Sequence, residues 1–379
     1  MKNRRAGPRA ALAGAGLLLL AAVAPAGCRR SRGGGFEGHA FVAVSGDSTL
    51  AAVDLASFSV VRQIRLGSRP AQIVSDAASR LLYVLGEGGP AGLTVVDAAS
   101  LVIRRSLWLA DRPQRIRLSP QADQLYILDA GARLFKSLNL ETLAPGWQAR
   151  LPAAPVDFDV SSDGAWACVS LASGEAAVID LRARKLAGVV PAGAGAGGVA
   201  IRSDGRQAFV ASRADRSLSV IEMGSLRRIA RLPLNTRPEA LRFKPDGGEL
   251  FVSGGDGGVV LIVSAYRAEV DQPMLAGAEP RDMAISRNNL LFVANSAGNT
   301  VSVIGIDDRR TLASVPTGEE PHRVALTPDD RFALVLNRKS GDLAVIRTQA
   351  LLLGRERVRP LFTLVRVGSR PVDLVIQPK

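Results

Sequence analysis

The chain has 379 residues, 47% of them apolar but only 4% aromatic, so a large core is available and small aliphatic side chains must do most of its packing. Lys and Arg number 48 against 35 Asp and Glu, a formal net charge of +13. No run of five or six basic residues occurs and stacking aromatics are scarce, which argues against a nucleic-acid-binding stripe and leaves the excess as a solvated surface.

Residues 1–27 read as an export signal: a basic head (Lys2, Arg4, Arg5, Arg9), an apolar stretch from Ala10 to Ala24, and small residues before Cys28. That stretch is about 15 residues long and a bilayer takes about 20, so a permanent transmembrane helix is disfavoured. Ala26-Gly27-Cys28 resembles the bacterial lipobox, which implies diacylation of Cys28. Pro25 replaces the usual aliphatic residue, and the alternative is ordinary cleavage after Ala-Gly. Without the four leader cations, 44 Lys and Arg face 35 Asp and Glu, a net of +9. Residues 28–38, with Gly33-Gly34-Gly35, read as a flexible tether to a domain over 39–379. Arg29 stands where an Asp commonly retains lipoproteins at the inner membrane, so the expected location is periplasmic or cell-surface, with the outer membrane preferred and the lipid as the only membrane contact. With Cys28 lipidated, Cys168 is alone and no disulfide forms within the chain.

From His39 onward one pattern recurs eight times at offsets of about 41 to 43 residues. Each copy opens with an apolar strand: Phe41-Val-Ala-Val, Leu82-Tyr-Val-Leu, Leu125-Tyr-Ile-Leu, Trp166-Ala-Cys-Val, Ala208-Phe-Val-Ala, Leu250-Phe-Val-Ser, Leu291-Phe-Val-Ala and Phe332-Ala-Leu-Val. A second strand follows a polar turn, as in Leu93-Thr-Val-Val-Asp97, and then a more exposed third such as Val60 to Leu66. A Pro announces the fourth, with apolar residues three and five positions on, as at Pro113, Ile116 and Leu118. Pro fits a strand entrance, where no ladder bond is lost. Returns such as Ser161-Ser-Asp-Gly164 carry Asp-Gly for a positive φ.

Four short strands per repeat with no helical period predict an all-β fold: a β-propeller of eight four-stranded blades, with seven as the alternative because of an insertion near Leu351 to Pro360. The first copy lacks a Pro-led strand and the last residues, Arg370 to Gln377, supply one, so the C-terminal strand should complete the first blade. The units resemble the YVTN-type propeller repeat, most closely at Leu291-Phe-Val-Ala-Asn295 with Asn299-Thr-Val-Ser-Val-Ile304. The resemblance covers Phe41 to Lys379 and implies the fold while leaving function open.

Candidate site residues cluster in the Pro-led loops, which border one mouth of the axial channel in propellers. Arg69, Arg112, Arg237 and Arg370 stand just before Pro, with Glu279 and Glu320 in the equivalent place; Gln72, Arg115, Asp157, Asp282, Arg323 and Asp373 follow two positions after it, and His322 follows Pro321. They read either as solvated charges pairing with neighbours or as a polar recognition surface. Gly193 to Gly198 matches G-x-G-x-x-G but no helix follows, so a loop is expected instead of a dinucleotide site. Cys168 reads as a buried structural thiol and His39 as a strand-end residue. No haem-attachment, metal-spaced or calcium motif is present and no cofactor or metal is expected. The leading expectation is a monomeric, envelope-associated, non-enzymatic binding protein whose mouth recognises an envelope protein or a small anionic ligand. The alternatives are a hydrolase resembling the lactonase-type propellers, using His322, and a tetrapyrrole carrier resembling the haem d1 propellers.

Overall fold

A computed structural model describes residues 34–88, 92–109, 112–352 and 359–379. The export signal, Cys28 and the start of the tether lie outside the described residues, as does part of the insertion, 353–358.

Eight antiparallel sheets are present, one per repeat, so the seven-blade alternative is excluded. We number the blades 1 to 8 in chain order. The Pro-led strand is innermost in each: Pro371–Pro378 in blade 1, Arg69–Asp76 in blade 2, Pro113–Leu118 in blade 3, Pro155–Val160 in blade 4, Ala196–Ile201 in blade 5, Pro238–Phe243 in blade 6, Pro280–Ile285 in blade 7 and Pro321–Leu326 in blade 8. Each inner strand packs beside the next and the eighth packs beside the first, which closes a ring around an axis. Blade 6 alone splits its outer strand, into Glu269–Val270 and Met274–Leu275, both paired with Val259–Ser264.

Why the opening strands are apolar at consecutive positions follows from strand geometry. Successive side chains point to opposite faces of a sheet, and here both faces meet another blade. In Gly38–Val44, Phe41 and Ala43 join a cluster shared with blade 2, while Ala40, Val42 and Val44 join one shared with blade 8. The described residues form eight such clusters, one at every blade-to-blade interface. Cys168 follows the same rule and is fully buried against blade 5, where burial pushes its thiol pKa up and keeps it protonated. The outer strands face water on most positions, as in Ser59–Arg65.

The Pro after each mouth loop has a second effect. Pairing of the inner strand shifts register between Pro and the residue two positions on in six blades, for example between Pro321 and Arg323. A bulge of this kind bends the strand and re-aims its side chains. At the other end of the blade, the Asp-Gly turns adopt positive φ at Gly164 (65°), Gly205 (69°) and Gly247 (72°), as predicted. Ala122 and Asp330 take the same left-handed position without glycine, at 53° and 55°.

Blade 1 is made from two distant segments. Pro371–Pro378 pairs with Gly38–Val44 from Gly38 opposite Pro378 to Val44 opposite Pro371, so both ends of the described chain lie on the turn face, away from the Pro-led mouth. Gly34 and Gly35 are held on that face through their carbonyls, which accept hydrogen bonds from Arg331 at 3.1 and 2.7 Å. Ending the chain at Arg370 removes the inner strand of blade 1 and exposes two edges. The thermal midpoint, followed by circular dichroism, should fall by about 10 °C or more, whereas removing Lys379 alone should leave it within about 2 °C.

Candidate functional site

The Pro-led loops and the inner strands together build one mouth and the wall of the channel. Side chains two and four positions after the Pro share a strand face, so they form successive layers down that wall. The first layer holds Asp373, Gln72, Arg115, Asp157, Gly198, Ala240, Asp282 and Arg323 in ring order from blade 1 to blade 8.

These side chains bridge neighbouring blades. Asp282 accepts the Val324 backbone N–H of blade 8 at 3.2 Å, and Asp373 accepts the Ile73 N–H of blade 2 at 3.1 Å. The Gln72 amide makes the same reach in both directions, accepting from Ile116 N at 2.9 Å and donating to its carbonyl at 3.0 Å. Arg323 lies between two almost fully buried carboxylates, 2.8 Å from Asp373 and 3.5 Å from Asp282. Their charges push its guanidinium pKa up against the opposing effect of burial. Arg115 stands 3.6 Å from Asp157.

The second layer contains three residues that the motif search did not single out. Arg117 donates to the Phe158 carbonyl at 2.5 Å, Asp159 accepts the Ile201 N–H at 2.9 Å, and Arg242 donates to Met283 O at 3.1 Å and to Asp282 at 2.7 Å. Burial pushes the Asp159 carboxyl pKa up, with Arg117 acting against it at 3.5 Å. Their signal was available as the two-residue alternation from the first layer. Seven of the eight blade junctions are thus bridged from the channel wall. At the junction of blades 5 and 6 the wall residues are Gly198, Ala200 and Ala240, and the bridge is made at the mouth by Arg213 and Glu239 at 2.5 Å.

At the rim, the residues before Pro divide by side. Glu279 and Glu320, on blades 7 and 8, stand 3.5 Å from Arg281 and 3.6 Å from Arg338. Arg370, Arg69 and Arg112 occupy blades 1, 2 and 3, are exposed, and make no ion pair among the described residues. Arg237 lies apart on blade 6, its backbone N–H held by Asp256, whose carboxyl is brought down to about 2 chiefly by that bond. The residues before Pro are therefore polarised, a basic arc on blades 1, 2 and 3 against acids on blades 7 and 8, with Glu87 of blade 2 opposite Arg69 and lining one pocket with Arg112.

His322 is part-buried between blades 8 and 1. Its Nε2 lies 3.3 Å from the Val372 carbonyl, and its Nδ1 is buried without a partner. Burial pulls its pKa below 6.5. His39 is at the opposite face, 3.9 Å from Asp54. The glycines of 193–198 are not a nucleotide loop. Gly193 and Gly195 have φ of 113° and 71°, and a Cβ on either would strike Ser212 Oγ or the Ala214 nitrogen at 2.5 Å, so they allow this loop to lie against the return turn of its own blade. Among the described residues no three His, Cys, Asp or Glu side chains gather as a metal site.

Neither a family model nor a curated protein sequence matches the chain. Solved structures do. A chain of the Kuenenia stuttgartiensis hydrazine synthase is 19% identical, with a TM-score of 0.58 over 74% of this chain and 95% of that one. The dihydro-haem d1 dehydrogenase NirN, solved in complex with DHE, is 15% identical, with a TM-score of 0.69 over 88% of this chain and 76% of that one. At such identities the likeness carries the fold: the protein is a β-propeller.

Two predictions follow from the geometry of the wall. Arg323→Met leaves the buried Asp373 without its cation, while Asp282 keeps Arg242 at 2.7 Å, and should cost about 3 kcal/mol in urea unfolding, whereas Arg69→Ser should change stability by no more than about 0.5 kcal/mol. Because His322 has a folded pKa below its unfolded value of 6.5, the unfolded chain binds more protons as pH falls. Its contribution is complete above pH 6.5 and is lost as pH drops through the folded pKa, so His322→Gln should flatten the loss of stability measured as pH is lowered from 6.5.

Proposed function

We propose that this propeller is a tethered, non-enzymatic recognition module of the bacterial envelope, of the YVTN repeat type, whose basic arc docks an acidic face of a partner protein. The observation that carries this reading is the arc itself: Arg370, Arg69 and Arg112 are exposed on three consecutive blades, with no acid paired to them among the described residues. Charges left unpaired on a rigid rim steer a complementary partner and contribute to its rate of association. They are spread over three blades instead of gathered in one cleft, which suits a protein surface better than a small anion.

The placement of the chain end supports an outward-facing mouth. Gly34 lies on the turn face, and the six residues back to Cys28 reach at most about 20 Å when extended. A lipid on Cys28 holds the turn face toward the membrane and presents the arc away from it. Arg29 in the position after Cys28 favours the outer membrane as the site of anchoring.

The enzymatic and tetrapyrrole alternatives both draw on His322, and its surroundings fit neither well. Nε2 faces the Val372 carbonyl and Nδ1 is enclosed, so no imidazole nitrogen is presented to the channel as an axial ligand or a general base without a rearrangement. His39, at the other face beside Asp54, does not replace it.

Two measurements test the proposal. Binding to immobilised poly-L-glutamate at about 50 mM salt should weaken roughly tenfold in Arg69→Ser/Arg112→Ser and stay unchanged in Arg206→Ser, on the turn face. Equal binding by all three proteins removes the arc from consideration. Cys28→Ser should move the protein from the membrane pellet to the soluble envelope fraction; retention in the pellet overturns the tether.

A further inference from the structure

A second basic site lies where the ring closes. Between blades 8 and 1, on the mouth face, a pocket of about 380 Å³ is lined by Arg338, Lys339, Arg366 and Arg370, with Glu320 as its one carboxylate and with Ser340 and Ser369 offering hydroxyls. Glu320 stands 3.6 Å from Arg338, and Lys339 is 2.9 Å from Glu319. Arg366 and Arg370 make no ion pair among the described residues, although both face the same pocket. Of the other acids near the seam, Asp47 accepts the Ser369 backbone N–H at 2.8 Å, and Asp342, opposite Arg366 in the sheet, accepts from Asn337 Nδ2 at 2.6 Å.

Arg366 ends the outer strand of blade 8, and Arg370 immediately precedes the strand that completes blade 1. Gly368, between them, accepts no side chain: its φ is 132° and a Cβ there would meet Asp47 and Val44. The backbone is thus held tightly while Arg366 and Arg370 line one cleft in which four cations face the single carboxylate of Glu320. Repulsion between them is relieved by a multiply charged anion, and planar guanidinium forks match phosphate oxygens. The pocket volume exceeds what a lone oxyanion fills and suits a small phosphorylated molecule.

We propose that this seam pocket binds a phosphate-bearing small molecule, a diphosphate or a phosphomonoester, and that occupancy stabilises ring closure by joining blade 8 to the entrance of the closing strand. The site shares Arg370 with the basic arc, but its diagnostic residue is Arg366, so it stands or falls separately from the docking of a partner.

Inorganic diphosphate is the probe, titrated into the purified full-length chain by calorimetry and by thermal melting, with citrate as a control for general screening. The expected result is saturable binding with a Kd below about 1 mM and a midpoint that rises with ligand concentration, as selective binding to the folded state requires. Arg366→Ala/Arg370→Ala should weaken binding at least tenfold, and Arg366→Ala alone guards against a folding defect in the pair. Arg69→Ser/Arg112→Ser should bind as the parent does. Absence of saturable binding, an equal response to citrate, or an undiminished response in Arg366→Ala/Arg370→Ala overturns the proposal.

Discussion

The structure depends on one constraint: a four-stranded antiparallel blade with apolar side chains on both faces cannot shield either face by itself. Radial stacking resolves this by giving each blade two neighbours, and each pair of neighbours shares one cluster of Val, Leu, Ile, Ala and Phe side chains. A stack that did not close would leave two apolar faces and two strand edges in water. The closing strand Pro371–Pro378 removes that penalty by pairing with Gly38–Val44, which places the two ends of the domain in one sheet. Small aliphatic residues suit the inner part of such a ring, where the blades converge, and explain how a chain poor in aromatics can still bury a large core.

Apolar packing sets the blades side by side but does not by itself fix their register around the axis. The channel wall supplies that through directional bonds. Asp282, Asp373, Gln72, Asp159, Arg117 and Arg242 each reach a backbone group on the following blade. The side chains are polar because the channel is lined by them, yet their bonding capacity is directed sideways into the wall. Charge along the axis therefore belongs largely to assembly, with Arg323 held between two acids as its most enclosed member.

The two faces of the ring differ in consequence. The turn face carries both ends of the described chain and the contact of Arg331 with Gly34 and Gly35. The mouth face carries the charges that the wall does not use, and these are unevenly distributed. Acids on blades 7 and 8 have partners, whereas the arginines before Pro on blades 1, 2 and 3 and Arg366 at the seam make no ion pair among the described residues. An exposed cation without a partner attracts anions from solution, and the proposed recognition rests on these positions. The likeness to hydrazine synthase and to NirN belongs to the scaffold, and scaffolds of this kind carry unrelated activities on their loops.

The sequence by itself determined the repeat, the eight blades, the order of strands within each and the closing role of the C-terminal strand, because those follow from local period, turn chemistry and the absence of a Pro-led strand in the first copy. It also marked the inner strands, since Pro begins each of them except that of blade 5, where Ala196 stands instead. Which of the loop charges are free was decided only by the tertiary structure. Arg115 and Arg323 are equivalent in sequence, each two positions after a Pro, yet Arg323 is enclosed between Asp282 and Asp373 while the exposed Arg115 stands 3.6 Å from Asp157. That Arg366 and Arg370 line one pocket at the seam was likewise invisible, because it depends on blade 8 ending beside the entrance of a strand that belongs to blade 1. Partner choice between charges is set by distances across blades, and a one-dimensional pattern carries no such distances.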